Sequence, residues 1–174
     1  LLDGTHDLDN AVALGAAFYG WTRPNGGIRI RGGSPRSWYV GIETTGLAIP
    51  GAPRPLRGLC VVPQGMEEGT ECEVPSADIG LIVGQPARFR FFGSTVRPDD
   101  KPGALLPSCS SDELVETNSL ETKLKSEADG AAGFSSVPVR FCSRVTELGV
   151  LELWCVSTTD DRRWKLEFDV RESQ

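Results

Sequence analysis

The residues that most often carry catalysis are few in this sequence. His6 is the single histidine of the chain. The five cysteines, none of which forms a CxxC pair, are Cys60, Cys72, Cys109, Cys142 and Cys155. A protein zinc site needs several such ligands held together, so this pattern predicts no metal site. Cys60, Cys142 and Cys155 lie within apolar runs, where a reduced cysteine behaves as a small hydrophobic side chain. We therefore expect free thiols and a reducing compartment, the cytoplasm.

Paired carboxylates are the other candidates for chemistry. Glu67-Glu68 and Asp99-Asp100 both lie in turn-like sequence, where solvated side chains are usual. A general acid and base would need a pocket that separates their pKa values. The chain also has no GxSxG elbow and no GxxxxGK[ST] phosphate loop. We expect no catalysis by this chain alone, and we rank an independent hydrolase or transferase last.

Charge limits the classes of partner. The 174 residues carry a formal net charge of −6, whereas a nucleic-acid-binding protein needs a basic face. The region from 23 to 57 is the exception, with six arginines against the single acid Glu43. No apolar run approaches the length that spans a membrane. Neither nucleic acid nor a membrane is therefore an expected partner.

The chain begins with a predicted helix and a linker. Residues 9–21 have a helical pattern, with Val12, Ala16 and Tyr19 on one face. A helix of this length is marginal alone in water, so it must dock on another surface. The following segment "RPNGGIRIRGGSPRS" has the composition of a linker. Its central residues alternate in a way that fits an extended strand added to a sheet edge; they are Ile28, Arg29, Ile30 and Arg31.

The remainder predicts an antiparallel β-sandwich or barrel. Short strands and turns alternate, in the order "WYVGIE", "LRGLCVV", "ECEV", "IGLIV", "ARFRFFG", "LETKL", the hairpin "VPVRFCSRVTELGVLELWCVS" and "RRWKLEFDVR". In "ARFRFFG", Phe89 and Phe91 fall on one side of the strand, and Arg88 and Arg90 on the other. The region 97–119 is polar, and we predict that it is mobile.

Several of these segments resemble one protein family. "DNAVALGAA" resembles the closing helix of the ATPase domain in DnaK-type 70-kDa heat-shock chaperones. "VGIETTG" is similar to the first strand of that family's peptide-binding sandwich, and "PLRGLCVVPQGMEEGTE" has the layout of the segment that follows. "PARFRFFG" and the "LGVLEL" hairpin are similar to later strands. The order of the segments covers nearly the whole chain, which is identified on this basis as a divergent, bacterial-like C-terminal fragment of such a chaperone.

The resemblance implies a domain plan and partners. Residues 1–22 would end a truncated ATPase domain, 23–36 would be the interdomain linker, and 37–174 the mainly β substrate-binding sandwich. The partner would be an unfolded or extended polypeptide, or the parent's own ATPase domain. ATP and magnesium would belong to that domain, so no cofactor is expected here. Without its docking surface, the helix would pack on a neighbouring molecule, pair two copies of the chain, or fray.

The resemblance also implies a peptide-binding site. The matching positions are Thr45, Gly46, Leu47, Phe89 and Phe91. A slip of one residue in register would present Arg88 and Arg90 instead. Taken singly, Phe89 and Phe91 are better explained as sandwich core. The arginine-rich linker departs from the family's leucine-rich one, which weakens the expectation of nucleotide-dependent signalling. The alternative function is a scaffolding module that has lost client binding.

Overall fold

The computed structural model describes residues 8–25, 32–44, 54–110, 112–124, 135–146 and 149–169. The chain divides into two compact units, Leu1–Arg31 and Gly32–Gln174. Each unit is described by itself below.

The first unit contains one helix, α1 (Leu8–Asn25), slightly longer than the helix predicted from the sequence. Its side chains from 10 to 21 are all exposed. Val12 is 82% exposed, and Phe18 and Trp21 are each 60% exposed. The rings of Phe18 and Trp21 lie 6.3 Å apart, as expected for neighbours three residues apart on a helix. The helix therefore carries several largely exposed apolar side chains.

The second unit is an antiparallel β-sandwich, as the sequence predicted. Its strands among the described residues are β1 (Ser37–Glu43), β2 (Leu56–Val62), β3 (Glu71–Val83), β4 (Pro86–Ser94), β5 (Leu105–Leu106), β6 (Val115–Lys123), β7 (Ser135–Val145), β8 (Val150–Ser157) and β9 (Arg163–Asp169). One sheet has the order β5-β2-β1-β4-β6, and the other has the order β3-β7-β8-β9.

The main core lies between the inner faces of the two sheets. Inward positions alternate along β7 and β8 in the pattern that the sequence predicted for this hairpin. Val139, Leu151 and Leu153 are completely buried there. Ser143 is buried with them, and its hydroxyl donates a hydrogen bond of 2.5 Å to the carbonyl oxygen of Val61 on the opposite sheet. The hydroxyl of Ser143 is therefore satisfied within the core.

A second, smaller core lies on the outer face of the five-stranded sheet. It contains five buried residues: Tyr39, Cys60, Phe92, Cys109 and Leu114. The sequence predicted a polar, mobile segment over 97–119. The structure instead contains β5 and the start of β6 in that region. The side chains of Cys109 and Leu114, from the same region, are buried in the small core.

Strand β3 joins two segments that the sequence predicted as separate strands. Its pairing with β7 passes from Val74 opposite Phe141 to Ile79 opposite Val139, so four residues of β3 stand against Arg140 alone. This bulge begins at Pro75, whose nitrogen has no hydrogen to donate to the ladder. The bulge puts residues 75–78 out of register, and Pro75, Ser76 and Ala77 form part of the wall described next.

Candidate functional site

A cavity of about 540 Å³ lies among the end of β1, the start of β2, the β3 bulge and β5. Ile42, Leu59, Ile79 and Leu105 supply its apolar lining. Leu59 is buried, Ile42 and Ile79 pack against the main core, and Leu105 is 43% exposed at the rim. The volume falls within the range of about 300–1,000 Å³ that is usual for ligand sites. The cavity can hold one or two apolar side chains.

The β3 bulge forms one wall of the cavity. Pro75, Ser76 and Ala77 line it, and β3 is an edge strand of its sheet as far as the described residues show. Gly103 closes the neighbouring corner with a backbone φ of +87°, a conformation that favours glycine. A side chain at Gly103 would also clash with the carbonyl oxygen of Pro75. The cavity wall therefore depends on a close approach between two backbones.

The rim of the cavity carries charge. Arg57 pairs with Ile42 across β1 and β2, so both side chains are on the same face of the sheet. Among the described residues, no carboxylate lies within ion-pair distance of Arg57. Glu43, also at the rim, has a partner: its carboxylate lies 3.7 Å from the guanidinium of Arg54. Within the described part of the rim, the positive charge of Arg57 therefore lies beside the apolar cavity without a carboxylate partner.

Ser76 contributes a polar atom that is not satisfied. Its hydroxyl oxygen is buried in the cavity wall, and among the described residues it has no hydrogen-bond partner. A buried hydroxyl without a partner costs about 1–3 kcal/mol. The wall is therefore less stable at this point than a fully bonded strand would be.

The predicted peptide-binding phenylalanines do not line the cavity. Phe89 and Phe91 are 8% and 2% exposed and belong to the core between the sheets. The arginines that alternate with them face the other side, where Arg88 donates a hydrogen bond to Ser119 and Arg90 donates one to Glu116. The strand therefore keeps the faces that the sequence predicted, with both phenylalanine rings inside.

The other predicted site residues lie outside the described residues. They are Thr45, Gly46 and Leu47 of the loop, and Ile28, Arg29, Ile30 and Arg31 of the linker. Thr44, which lines the cavity, is the residue immediately before Thr45. Sequence reasoning missed Ala77, Ile79 and Leu105. The one signal for them in the sequence was Pro75, which lies between "ECEV" and "IGLIV", the two segments predicted as separate strands.

A polar cluster fixes the segment between β4 and β6 over the small core on the outer face of the five-stranded sheet. We call this segment the cover and that small core the outer core. The Tyr39 hydroxyl and the Arg97 Nε each donate a hydrogen bond of 2.7 Å to Oδ2 of Asp100. Arg97 also donates through Nη1 to Glu113, at 2.7 Å. The hydrogen bonds from Arg97, followed by the one from Tyr39, hold the pKa of Asp100 below its usual value. Burial, then the bond to Asp100, raises the pKa of Tyr39. We call Tyr39, Arg97, Asp100 and Glu113 the clasp.

The buried thiols are not activated. Burial raises the pKa of Cys60 and of Cys155 to about 12, and that of Cys109 to about 11. A thiol with such a pKa is protonated at neutral pH, and the thiolate is the reactive form. These cysteines therefore act as small apolar side chains.

Within the described ranges, no three His, Cys, Asp or Glu side chains are placed to hold a metal ion. None of the described helical sequence is both long and apolar enough to cross a bilayer. No protein-family model matches the chain, and no curated protein matches it in sequence. Its function must be inferred from its own residues and geometry.

Proposed function

We propose that this chain is the polypeptide-binding β-sandwich module of a larger, cytoplasmic, DnaK-type heat-shock protein. It binds an extended or unfolded segment and catalyses nothing itself. The parent's ATPase domain would bind ATP and magnesium and would be the partner of the linker and of α1. Two observations support this proposal. Several segments resemble that family and occur in the same order, and an antiparallel sandwich follows a helix in the sequence. The exposed apolar side chains of α1 fit a helix whose docking surface lies elsewhere.

The apolar cavity is the observation that carries the proposal. Its lining includes Thr44, which directly precedes in sequence the residues Thr45, Gly46 and Leu47 that the resemblance assigns to the peptide. Burial of one leucine-sized side chain contributes about 1.5–3 kcal/mol. A single occupied cavity would therefore give weak, rapidly exchanging binding.

The edge strand β3 offers a second contact. Its bulged residues 75–78 have no register partners on β7, and β3 has no strand on its other side among the described residues. An extended peptide can form main-chain hydrogen bonds with such an edge. Main-chain bonds would hold many sequences, and the cavity would select those with an apolar side chain.

The buried positions of Phe89 and Phe91 favour the alternative function, a scaffolding module. A filled core at the place where the resemblance expects a groove is what a module without clients would have. The two functions differ in one measurable property, which is affinity for an isolated extended peptide.

Fluorescence anisotropy with a labelled peptide tests the proposal. The probe is an extended peptide with one central leucine among serine and asparagine residues. We expect saturable binding, which Ala77→Trp weakens about fivefold by filling the cavity, since fivefold corresponds to roughly 1 kcal/mol. The matched control is Val115→Trp, an equally drastic change at a 61% exposed residue outside the cavity. Absence of binding at high micromolar concentration would leave the scaffolding function.

A further inference from the structure

The position of Arg57 in its strand is unusual. Arg57, Leu59 and Val61 alternate along β2 and therefore point to the same face. Leu59 and Val61 are buried in the main core, and Arg57 continues their row at the cavity. An apolar residue would extend the core at this position. Arginine instead places a permanent positive charge at the cavity, next to the main core.

Among the described residues Arg57 has no carboxylate partner, whereas several other arginines of the sandwich have one. Five arginines are paired with carboxylates of the chain; these pairs are Arg54–Glu43, Arg90–Glu116, Arg97–Asp100, Arg144–Glu71 and Arg162–Asp160. For Arg57 the described residues supply none. In a chain with a net charge of −6, an unpaired cation beside an apolar cavity is complementary to an anionic ligand.

We propose that the cavity selects polypeptide segments in which an acidic residue lies two positions from the apolar residue that it holds. This inference rests on the proposed function and adds the charge of its ligand. In an extended chain, residues i and i+2 share a face and lie about 6.6 Å apart. An apolar side chain at i enters the cavity, and a carboxylate at i+2 or i−2 is on the same side, toward the Arg57 guanidinium. A carboxylate at i+1 points away.

The experiment compares labelled peptides that differ only in charge and spacing. All contain one central leucine, with aspartate, lysine or asparagine at i±2, or aspartate at i±1. Because an exposed ion pair contributes little, we expect the i±2 aspartate peptide to bind only about threefold more tightly than the asparagine peptide. The lysine peptide should bind more weakly than both. Raising the salt concentration should reduce these differences, because exposed charges are screened.

Variants of Arg57 locate the selectivity. Arg57→Gln should bind the four peptides with equal affinity, and Arg57→Glu should prefer the lysine peptide. The matched control is Arg88→Gln, a change of the same type at an exposed arginine outside the cavity, which should keep the preference for aspartate. Arg88→Gln should also retain the affinity of the wild-type chain for the asparagine peptide, which shows that a change of this type outside the cavity leaves binding intact.

The outcomes separate this inference from the proposed function. If no peptide binds, both are overturned. If the peptides bind, Ala77→Trp weakens them all, and aspartate and lysine peptides are equivalent, only the charge selection is overturned. Decanoate, which carries an apolar chain and a carboxylate without a peptide backbone, should compete poorly. Displacement of the peptide by decanoate at lower concentration than by unlabelled peptide would assign the cavity to small amphipathic acids instead.

Discussion

Neighbouring phenylalanines on the two faces of the five-stranded sheet are buried equally well but by different means. Phe91 on the inner face is 2% exposed, and Phe92 on the outer face is 3% exposed. The inner face packs against a second sheet, whereas the outer face is covered by the segment between β4 and β6. Two neighbouring residues can therefore be equally buried although one lies under a second sheet and the other under a connecting segment.

The two covers are held by different forces. The inner core contains aliphatic and aromatic side chains from strands of both sheets, so dispersion and hydrophobic burial dominate. The outer core has five buried residues, and its cover is tied down by the polar clasp around Asp100. The comparison indicates that the inner face determines global stability, whereas the outer cover can open by itself.

The largest expected effect comes from deleting one ring on each face. Phe91→Ala should lower the free energy of unfolding by about 5 kcal/mol, and Phe92→Ala by about 3 kcal/mol, the two ends of the usual range for such truncations. The outer cover can collapse onto the space left by Phe92, while the inner space is fixed between two sheets. Urea unfolding followed by tryptophan fluorescence measures both changes.

The ratio of these two values tests the comparison directly. If Phe92→Ala costs as much as Phe91→Ala, the outer cover is as rigid as the second sheet. Ile82→Ala, a truncation at a 40% exposed residue, is the control and should cost far less than either.

Acid should open the outer cover before the inner core. The pKa of Asp100 is depressed in the folded protein, chiefly by the hydrogen bonds from Arg97. Its stabilising contribution is therefore complete above the ordinary aspartate value of about 3.9 and is lost as the pH falls through the folded value. Hydrogen bonds to a charged group contribute about 1.5–3 kcal/mol, which sets the expected loss of local stability.

Hydrogen exchange, corrected for the intrinsic rate at each pH, measures this opening. The amides of Gly103, Ala104 and Cys109 bond to β2 or within the cover and report on it. The amide of Leu153, in the middle of the other sheet, is the reference. Asp100→Asn should lower the protection of the cover at neutral pH and remove its pH dependence below about 4. A loss of protection at Leu153 in the same pH range would contradict separate opening.

The inner face could be predicted from the sequence because its pattern is periodic. The hairpin of β7 and β8 alternates apolar and polar residues, and Val139, Phe141, Leu151 and Leu153 are buried as predicted. Phe89 and Phe91 face the same side for the same reason. These positions repeat at the period of the strand, so local sequence contains the whole signal.

The outer face and the cavity have no such local signal. The cover contributes Cys109 and Leu114, two buried residues within a polar segment, and it is held by Tyr39 from a distant strand. The cavity depends on the close approach of Gly103 to Pro75, which are far apart in the chain. The polar composition of residues 97–119 predicted mobility because Arg97, Asp100 and Glu113, which hold this segment in place, are themselves charged.

The smallest expected effect separates charge from packing at the edge of the outer core. Arg90 donates two hydrogen bonds to Glu116, and its guanidinium lies 5.5 Å from the centre of the Phe92 ring. Arg90→Met keeps an apolar stem over the ring and removes the ion pair, which should cost about 0.5 kcal/mol at this half-exposed position.

Arg90→Ala removes both the charge and the stem. It should cost about 1 kcal/mol, since a long arginine side chain also covers apolar surface. Urea unfolding of the two variants side by side gives the difference. Equal losses would mean that the ion pair alone matters there, and the outer core would then depend on charge even at its edge. A loss of stability for Arg90→Ala alone would mean that the aliphatic stem of Arg90 packs as part of the outer core. Apolar packing would then contribute to the outer face as well as to the inner one.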